Sequence, residues 1–341
     1  MTSRMHDEAR EAPAAIARLM SADGAAYASL AEDLRNNAPG AMLTVARGSS
    51  DHAAHFMAYL MMARLGRLVT SLPMSIVTLY QSRLRCEGLV AFAFSQSGRS
   101  PDLTAPIASV RAGGARTVCF VNDVASPLAQ ASQWVFALHA GSETSVAATK
   151  SYIAQLVAGA RVVATWQQDS MLLAALAQLP ADLENALRQQ WQQAFVAVLR
   201  DADRLYVIGR GTGLAAAMEA ALKFKEVSGI QAEAFSGAEL RHGPMALVYE
   251  GYPLLILAPP GPAQADLLNL AEDMRGKGAR VLLAAPAGTP GAELPLACSS
   301  AEDLNPVLAI QSFYPAVEAL ARARGLDPDR PRNLAKVTRT N

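Results

Sequence analysis

Residues 42–65 read MLTVARGSSDHAAHFMAYLMMARL, and residues 204–227 read RLYVIGRGTGLAAAMEAALKFKEV. Each opens on a short apolar run, turns at an arginine and a glycine (Arg47-Gly48, Arg210-Gly211), and continues in a helical pattern. A second pair of stretches follows the same plan. Leu89–Phe94 (LVAFAF) and Leu254–Leu257 each lead through a loop and a helix to Gly-Ala-Arg, at 114–116 and 278–280, and then to TVCFV and VLLAA. Arg47 and Arg210 are 163 residues apart and Gly114 and Gly278 are 164 apart, so the two halves keep register. One structural unit is written twice, at the scale of a domain.

Short apolar runs alternating with helical stretches are the pattern of a parallel sheet covered by helices on both faces. The predicted fold class is therefore α/β, with two doubly wound parallel sheets flanked by helices. The expected organisation is an N-terminal helical segment (1–35), a first sheet domain (36–168), a linking helix (169–199), a second sheet domain (200–328) and a polar tail (329–341). Sheets of this kind bind ligands outside the carboxyl ends of their strands, where loops enter helices.

Composition limits the function classes. The 341 residues carry 30 basic and 30 acidic side chains, which argues against a nucleic-acid binder working through a basic surface. Hydrophobic residues make up 51% and charged ones 18%, enough for sizeable cores and too few charges for wholesale disorder. Cys86, Cys119 and Cys298 are scattered, with no histidine at metal-ligand spacing, so reduced thiols and no metal site are expected. No apolar run approaches the roughly 20 residues a bilayer span needs. The opening MTSRMHDEAREAP is charged and lacks an apolar core, so neither a secretory signal nor membrane association is expected, and the expected location is cytoplasmic.

The most informative loop is Ser95-Gln96-Ser97-Gly98-Arg99-Ser100-Pro101-Asp102, which follows an apolar strand and opens a helix. Ser100 stands where an N-cap belongs and Pro101 at the first helical position, where a missing N–H costs nothing. Hydroxyls, an amide and a glycine crowd a helix N-terminus whose free N–H groups favour an anion such as phosphate. Taken alone, the loop is equally a polar turn with a good cap. Gly48-Ser49-Ser50-Asp51 repeats the device on what should be the neighbouring strand, with Ser50 as the expected N-cap. In the second half the corresponding loop is Ala258-Pro259-Pro260-Gly261-Pro262, which has lost this chemistry, so one phosphate site per chain is expected, in the first domain.

The stretch GLAAAMEAALKFKEVSG places Glu219, Lys223 and Glu226 at i, i+4 and i+7 of an alanine-rich helix. Such charges can be an exposed ion pair, or they can line a cleft if the rest of the helix is buried. His242 precedes Gly243-Pro244 and so sits in a turn. His52 and His55 share a helix with Phe56 and Tyr59 and read as packing or rim residues. The tail Asp329-Arg330-Pro331-Arg332-Asn333-Leu334-Ala335-Lys336 has no periodicity to place it.

Taken in order along the chain, MHDEAREAP, SQSGRSPD, ETSVAATKSY (143–152), ALKFKEVS, ELRHGP and PRNLAK resemble the sugar isomerase (SIS) family, as found in the isomerase half of glucosamine-6-phosphate synthases. The resemblance implies two tandem SIS domains and a sugar-phosphate substrate handled without a cofactor. It places the phosphate on Gly48, Ser49, Ser50, Ser95, Gln96, Ser97 and Ser100, in agreement with the anion argument. It brings the backbone of Val146 and Ala147, and Ala335 of the tail, to the sugar. It makes Glu226 the base that moves a proton between C1 and C2, and Lys223 a stabiliser of charge on the substrate oxygen. It makes His242 an aid to ring opening, donated across a homodimer interface, and Lys336 the tail lysine able to form a Schiff base with a ketose carbonyl.

Three departures stand out. The serine of the family's V-A-S-T-K segment is Ala148 here, and the glutamate of its SQSGET loop is Arg99. Thr2 follows Met1 where the synthase has its nucleophilic cysteine, so no glutaminase domain is expected with the isomerase motifs. The expected activity is a phosphosugar deaminase and isomerase turning glucosamine 6-phosphate into fructose 6-phosphate and ammonia. The alternatives are a deglycase or another amino-sugar-phosphate isomerase, an aminotransferase served by a separate glutaminase, and a sugar-phosphate sensor without catalysis.

Overall fold

A computed structural model describes residues 2–336. Residues 337–341 of the expected tail, and Met1 of the expected N-terminal segment, lie outside the described residues. The segment ahead of the first strand is three helices, α1 (Arg4–Arg10), α2 (Ala12–Ser21) and α3 (Gly24–Asn36). Then come β1 (Met42–Val45), α4 (Ser49–Leu65), β2 (Val69–Ser71), α5 (Ser75–Thr78), β3 (Val90–Ser95), α6 (Pro101–Ala112), β4 (Arg116–Val121), α7 (Pro127–Ala131), β5 (Trp134–Ala137) and α8 (Lys150–Gln167). The helical stretch expected over 169–199 is two helices, α9 (Ser170–Leu187) and α10 (Gln192–Leu199), interrupted at 188–191. The second series runs β6 (Arg204–Gly209), α11 (Gly213–Ser228), β7 (Gln231–Ser236), β8 (Pro253–Leu257), α12 (Gln264–Gly276), β9 (Arg280–Pro286), β10 (Leu294–Leu296) and α13 (Asn305–Ala323).

The chain forms two compact units. One comprises Ala14–Glu143 and Lys150–Ala177, with Ala335 and Lys336; the other comprises residues 2–13, Thr144–Thr149 and Gln178–Leu334. Each holds a five-stranded parallel sheet, in the orders β2-β1-β3-β4-β5 and β10-β9-β8-β6-β7. These are the same winding. In each, the first strand is flanked on one side by the second and on the other by the third. The order therefore reverses between β1 and β3, and again between β6 and β8, the places where such folds open a crevice.

In the first unit β1 and β3 are buried end to end and β4 from Thr117 onward, as their apolar runs predict. Alternate residues pack on opposite faces. Val45, Ala93 and Val121 meet Leu103, Ile107 and Leu128 of α6 and α7 on one face. On the other, Phe94, Phe120 and Phe136 form a chain of ring contacts, with centroids 4.7 and 5.6 Å apart, that ends on Tyr27. Arg161 lies inside this face on α8. Its guanidinium donates to the carbonyls of Leu19 and Ala22 at 2.7 and 2.8 Å, closing the C-terminal end of α2, and sits 4.1 Å from the Tyr27 ring centroid. In the second unit, Phe195, Phe224 and Phe313 make aromatic contacts between the helices α10, α11 and α13. No helix among the described residues is long and apolar enough to cross a membrane.

Candidate active site

Hydrogen-bonded pairing of β1 with β3, Val45 opposite Ala93, puts the two serine loops at the carboxyl ends of adjacent strands. Ser50 is not the N-cap of α4 as expected. That position belongs to Gly48, whose φ of +55° ends the short turn from β1 and lets the helix begin at the next residue. Ser49 and Ser50 thereby become the first two helical residues, in the turn whose N–H groups have no intrahelical acceptor. Ser100 does stand at the N-cap of α6, with Pro101 after it, but its hydroxyl makes no capping bond.

Within the second loop the Ser95 hydroxyl accepts the Gly98 N–H at 3.0 Å, and Ser97 accepts the Arg99 N–H at 3.4 Å. A hydroxyl that accepts keeps its own hydrogen to donate, so both stay usable by an anion. Gly98 lets the backbone of this loop come close to a ligand. It also admits protein: at φ +63°, a Cβ there would overlap the Ser126 hydroxyl oxygen. The loop is pinned by the β4–α7 connection, whose Asn122 N–H donates to the Gln96 carbonyl, and by α7, whose Leu128 N–H donates to the Gly98 carbonyl, both at 3.1 Å. Arg99 points to this connection, 2.9 Å from Asp123, and holds that carboxyl below its usual range. Sequence reasoning missed Asn122 and Ser126. The Ser126-Pro127 pair, a repeat of Ser100-Pro101, was the available signal, and Ser126 caps α7 by accepting the Ala129 N–H.

His55 lies 6.3 Å from Tyr59, ring centroid to ring centroid, and burial pushes its imidazole below the usual range, as a packing residue would have it. In the same unit the Glu143 side chain is fully buried. Its carboxylate accepts the Ser151 N–H at 3.1 Å and hydroxyl at 2.5 Å, and receives the Lys336 ammonium at 3.3 Å. The tail lysine is thus drawn to the residue that precedes the 144–149 segment. Ala335 beside it is exposed.

In the second unit the charged stripe of α11 is no surface pair. Lys223 is 1% exposed and Glu219 0%, and the Lys223 ammonium is 3.1 Å from Glu219 and 2.5 Å from Glu226. Burial works against its charge, but Glu219 and then Glu226 overcome this and hold its pKa above the usual lysine range. The Tyr314 hydroxyl donates to Glu219 at 3.4 Å. Glu226 alone of the three keeps appreciable exposure, at 19%. A carboxylate fixed at one oxygen by a buried ammonium and open on one side is arranged to exchange a proton with something outside the helix.

His242 ends a 3-10 turn (Glu239–His242) and is exposed. With Arg210, Arg241 and Asp266 it lines a cavity of about 340 Å³ beyond β6 and β7; neither Lys223 nor Glu226 lines it. Val146 is half-buried and Ala147 buried, in the 144–149 segment that packs with this second unit. Among the described residues, no three His, Cys, Asp or Glu side chains cluster closely enough to hold a metal ion.

Two units of one winding, one with hydroxyl-rich loops at its strand crossover and the other with a paired carboxylate on the helix after its first strand, define an α/β protein of two like sheet domains. Residues 37–164 and 198–288 match the SIS domain, and the chain belongs to that family. Glutamine–fructose-6-phosphate aminotransferase (isomerizing) of Methanothermobacter thermautotrophicus is 32% identical over 311 residues, covering 86% of this chain and 50% of that one. The chain thus spans about half the length of the curated relatives it matches, and that half is their C-terminal, isomerase domain. A solved structure from Silicibacter pomeroyi DSS-3, provisionally described as a phosphosugar isomerase, is 41% identical with a TM-score of 0.90, covering 96% of this chain and 100% of that one. Glucosamine-6-phosphate deaminase of Thermotoga maritima, 21% identical with a TM-score of 0.80 over 99% of this chain and 100% of its own, shares the fold.

Proposed function

We propose that the chain is a phosphosugar deaminase and isomerase, converting glucosamine 6-phosphate and water to fructose 6-phosphate and ammonia. The observation that carries this reading is Glu226, a partly exposed carboxylate held at 2.5 Å by the buried Lys223 ammonium. The serine loops, Gly48–Ser50 and Ser95–Ser100, take the phosphate with hydroxyl and helix N-terminal donors. His242, supplied by a second copy of the chain, helps open the ring. Glu226 removes the C2 proton to give an enolamine and returns it to C1. The resulting C2 imine adds water and expels ammonia, leaving the ketone of fructose 6-phosphate. Lys223 orients Glu226 and offsets negative charge developing on the substrate oxygen, while Val146, Ala147 and Ala335 meet the sugar through their backbone. Lys336 is the amine available to the C2 carbon. These are general acid–base and electrostatic contributions, which together suffice for a C1/C2 proton shuttle.

The purified chain is expected to release ammonia from glucosamine 6-phosphate with neither cofactor nor metal added. Ammonia from no hexosamine 6-phosphate at all would sink the deaminase reading, and amination of fructose 6-phosphate supported by glutamine alone would replace it with an aminotransferase. Ser97→Ala tests the phosphate site separately. A hydrogen bond to a charged group is worth about 1.5–3 kcal/mol, so KM should rise by on the order of tenfold with little change in melting temperature. An unchanged KM would place the phosphate elsewhere.

A further inference from the structure

Glu8 belongs to α1 and is 6% exposed. One of its oxygens accepts the Thr144 N–H at 2.5 Å and the Thr144 hydroxyl at 3.1 Å; the other accepts the Ser145 N–H at 3.1 Å. A single carboxylate thus receives two consecutive peptide N–H groups, and the next two residues are Val146 and Ala147. Bonds from N–H donors to an ionised carboxylate are among the stronger protein hydrogen bonds, and a buried carboxylate has little water to replace them.

The helix that carries Glu8 is itself tied at both ends. At its start, the Arg4 and Met5 N–H groups donate to the Asp329 carboxylate at 2.8 and 2.9 Å, a negative charge where a helix dipole favours one. Toward its end, Gln311 of α13 donates to the Ala9 carbonyl at 3.0 Å. On the loop's side, the Thr144 hydroxyl also goes to Glu8, whereas the Ser145 hydroxyl is buried and makes no hydrogen bond with any described residue. Glu8 therefore holds Ser145 through its backbone alone.

We infer that Glu8 is a positioning residue, which fixes the peptide planes at the head of the 144–149 loop and thereby sets affinity for the sugar part of the substrate, not for its phosphate. The inference rests on the phosphosugar reading above for the identity of the ligand, but not for the ordering itself. In the full chain, Glu8→Ala should speed hydrogen exchange of the Thr144 and Ser145 amides. It should also raise the KM for glucosamine 6-phosphate roughly tenfold while leaving inhibition by inorganic phosphate within about twofold, since the serine loops are untouched. Glu8→Gln keeps one acceptor oxygen and should recover part of both effects; if the alanine variant does not fold, the glutamine variant alone carries the comparison. Unchanged amide exchange overturns the inference whatever the substrate. So does faster exchange with an unchanged KM, or a KM that rises in step with the phosphate inhibition constant. Failure of the unaltered chain to turn over any hexosamine 6-phosphate would instead count against the phosphosugar reading, with the exchange result still deciding whether Glu8 orders the loop.

Discussion

Lys223→Met should lower the stability of the folded protein by about 3–5 kcal/mol, the usual cost of removing one partner from a buried ion pair. The Lys223 ammonium is within 3.1 Å of Glu219 and 2.5 Å of Glu226, and Glu219 has no exposed surface. Methionine fills most of the volume, so the loss would be electrostatic, from a carboxylate left in the interior without its cation. Urea unfolding reads it as a drop in midpoint. Adding Glu219→Gln should restore part of the loss, because a neutral buried amide is tolerated where an unpaired carboxylate is not. An unshifted midpoint in the single variant would mean that water reaches these carboxylates. The pH dependence has a defined sign. The lysine pKa is raised in the folded state, so its contribution is complete below the ordinary value of 10.5 and is lost only as pH climbs through the higher folded value.

Glu226→Gln should have the opposite profile, keeping the fold and losing the chemistry. Glutamine retains the volume and an oxygen able to accept from Lys223, while Glu219 continues to neutralise the lysine. It cannot take up the C2 proton. Turnover should fall by roughly 10²–10⁴-fold, the range for loss of a general base, with KM near its starting value and an unchanged urea midpoint. Near-normal kcat in this variant would reduce the stripe on α11 to a structural ion pair.

Features set by neighbouring residues were legible in the sequence. Central strands of a covered parallel sheet are apolar on both faces, so the apolar runs 42–46, 89–94 and 254–257 could be read within a residue of the strands Met42–Val45, Val90–Ser95 and Pro253–Leu257. The shared register of the two halves anticipated a common strand order. Helix ends were less secure. A serine two residues beyond a glycine looks like an N-cap, yet the positive φ open to Gly48 let α4 begin earlier, at Ser49. An i, i+4 charge pair reads the same whether exposed or buried; only the alanine-rich surroundings of Lys223 hinted at its burial. What could not be read was the choice of distant partners. Glu8 meets Thr144 across 136 residues and Lys336 meets Glu143 across 193. Nothing local to a short N-terminal helix or an aperiodic tail says which backbone or carboxylate it will find.

The second domain repeats the winding of the first with a different stock of main-chain hydrogens. Of the five residues from Ala258 to Pro262, three are prolines and carry no N–H, and the Ala258 N–H is already given to the Ala284 carbonyl at 2.8 Å. Of these five residues, Gly261 alone has an amide left to offer a proton. Grafting serines onto its non-proline positions would supply hydroxyls to a backbone with almost no donors of its own. An attempt to build a second anion site by symmetry would therefore have to remove the prolines first, and titration of the natural chain with a phosphosugar should saturate at one equivalent.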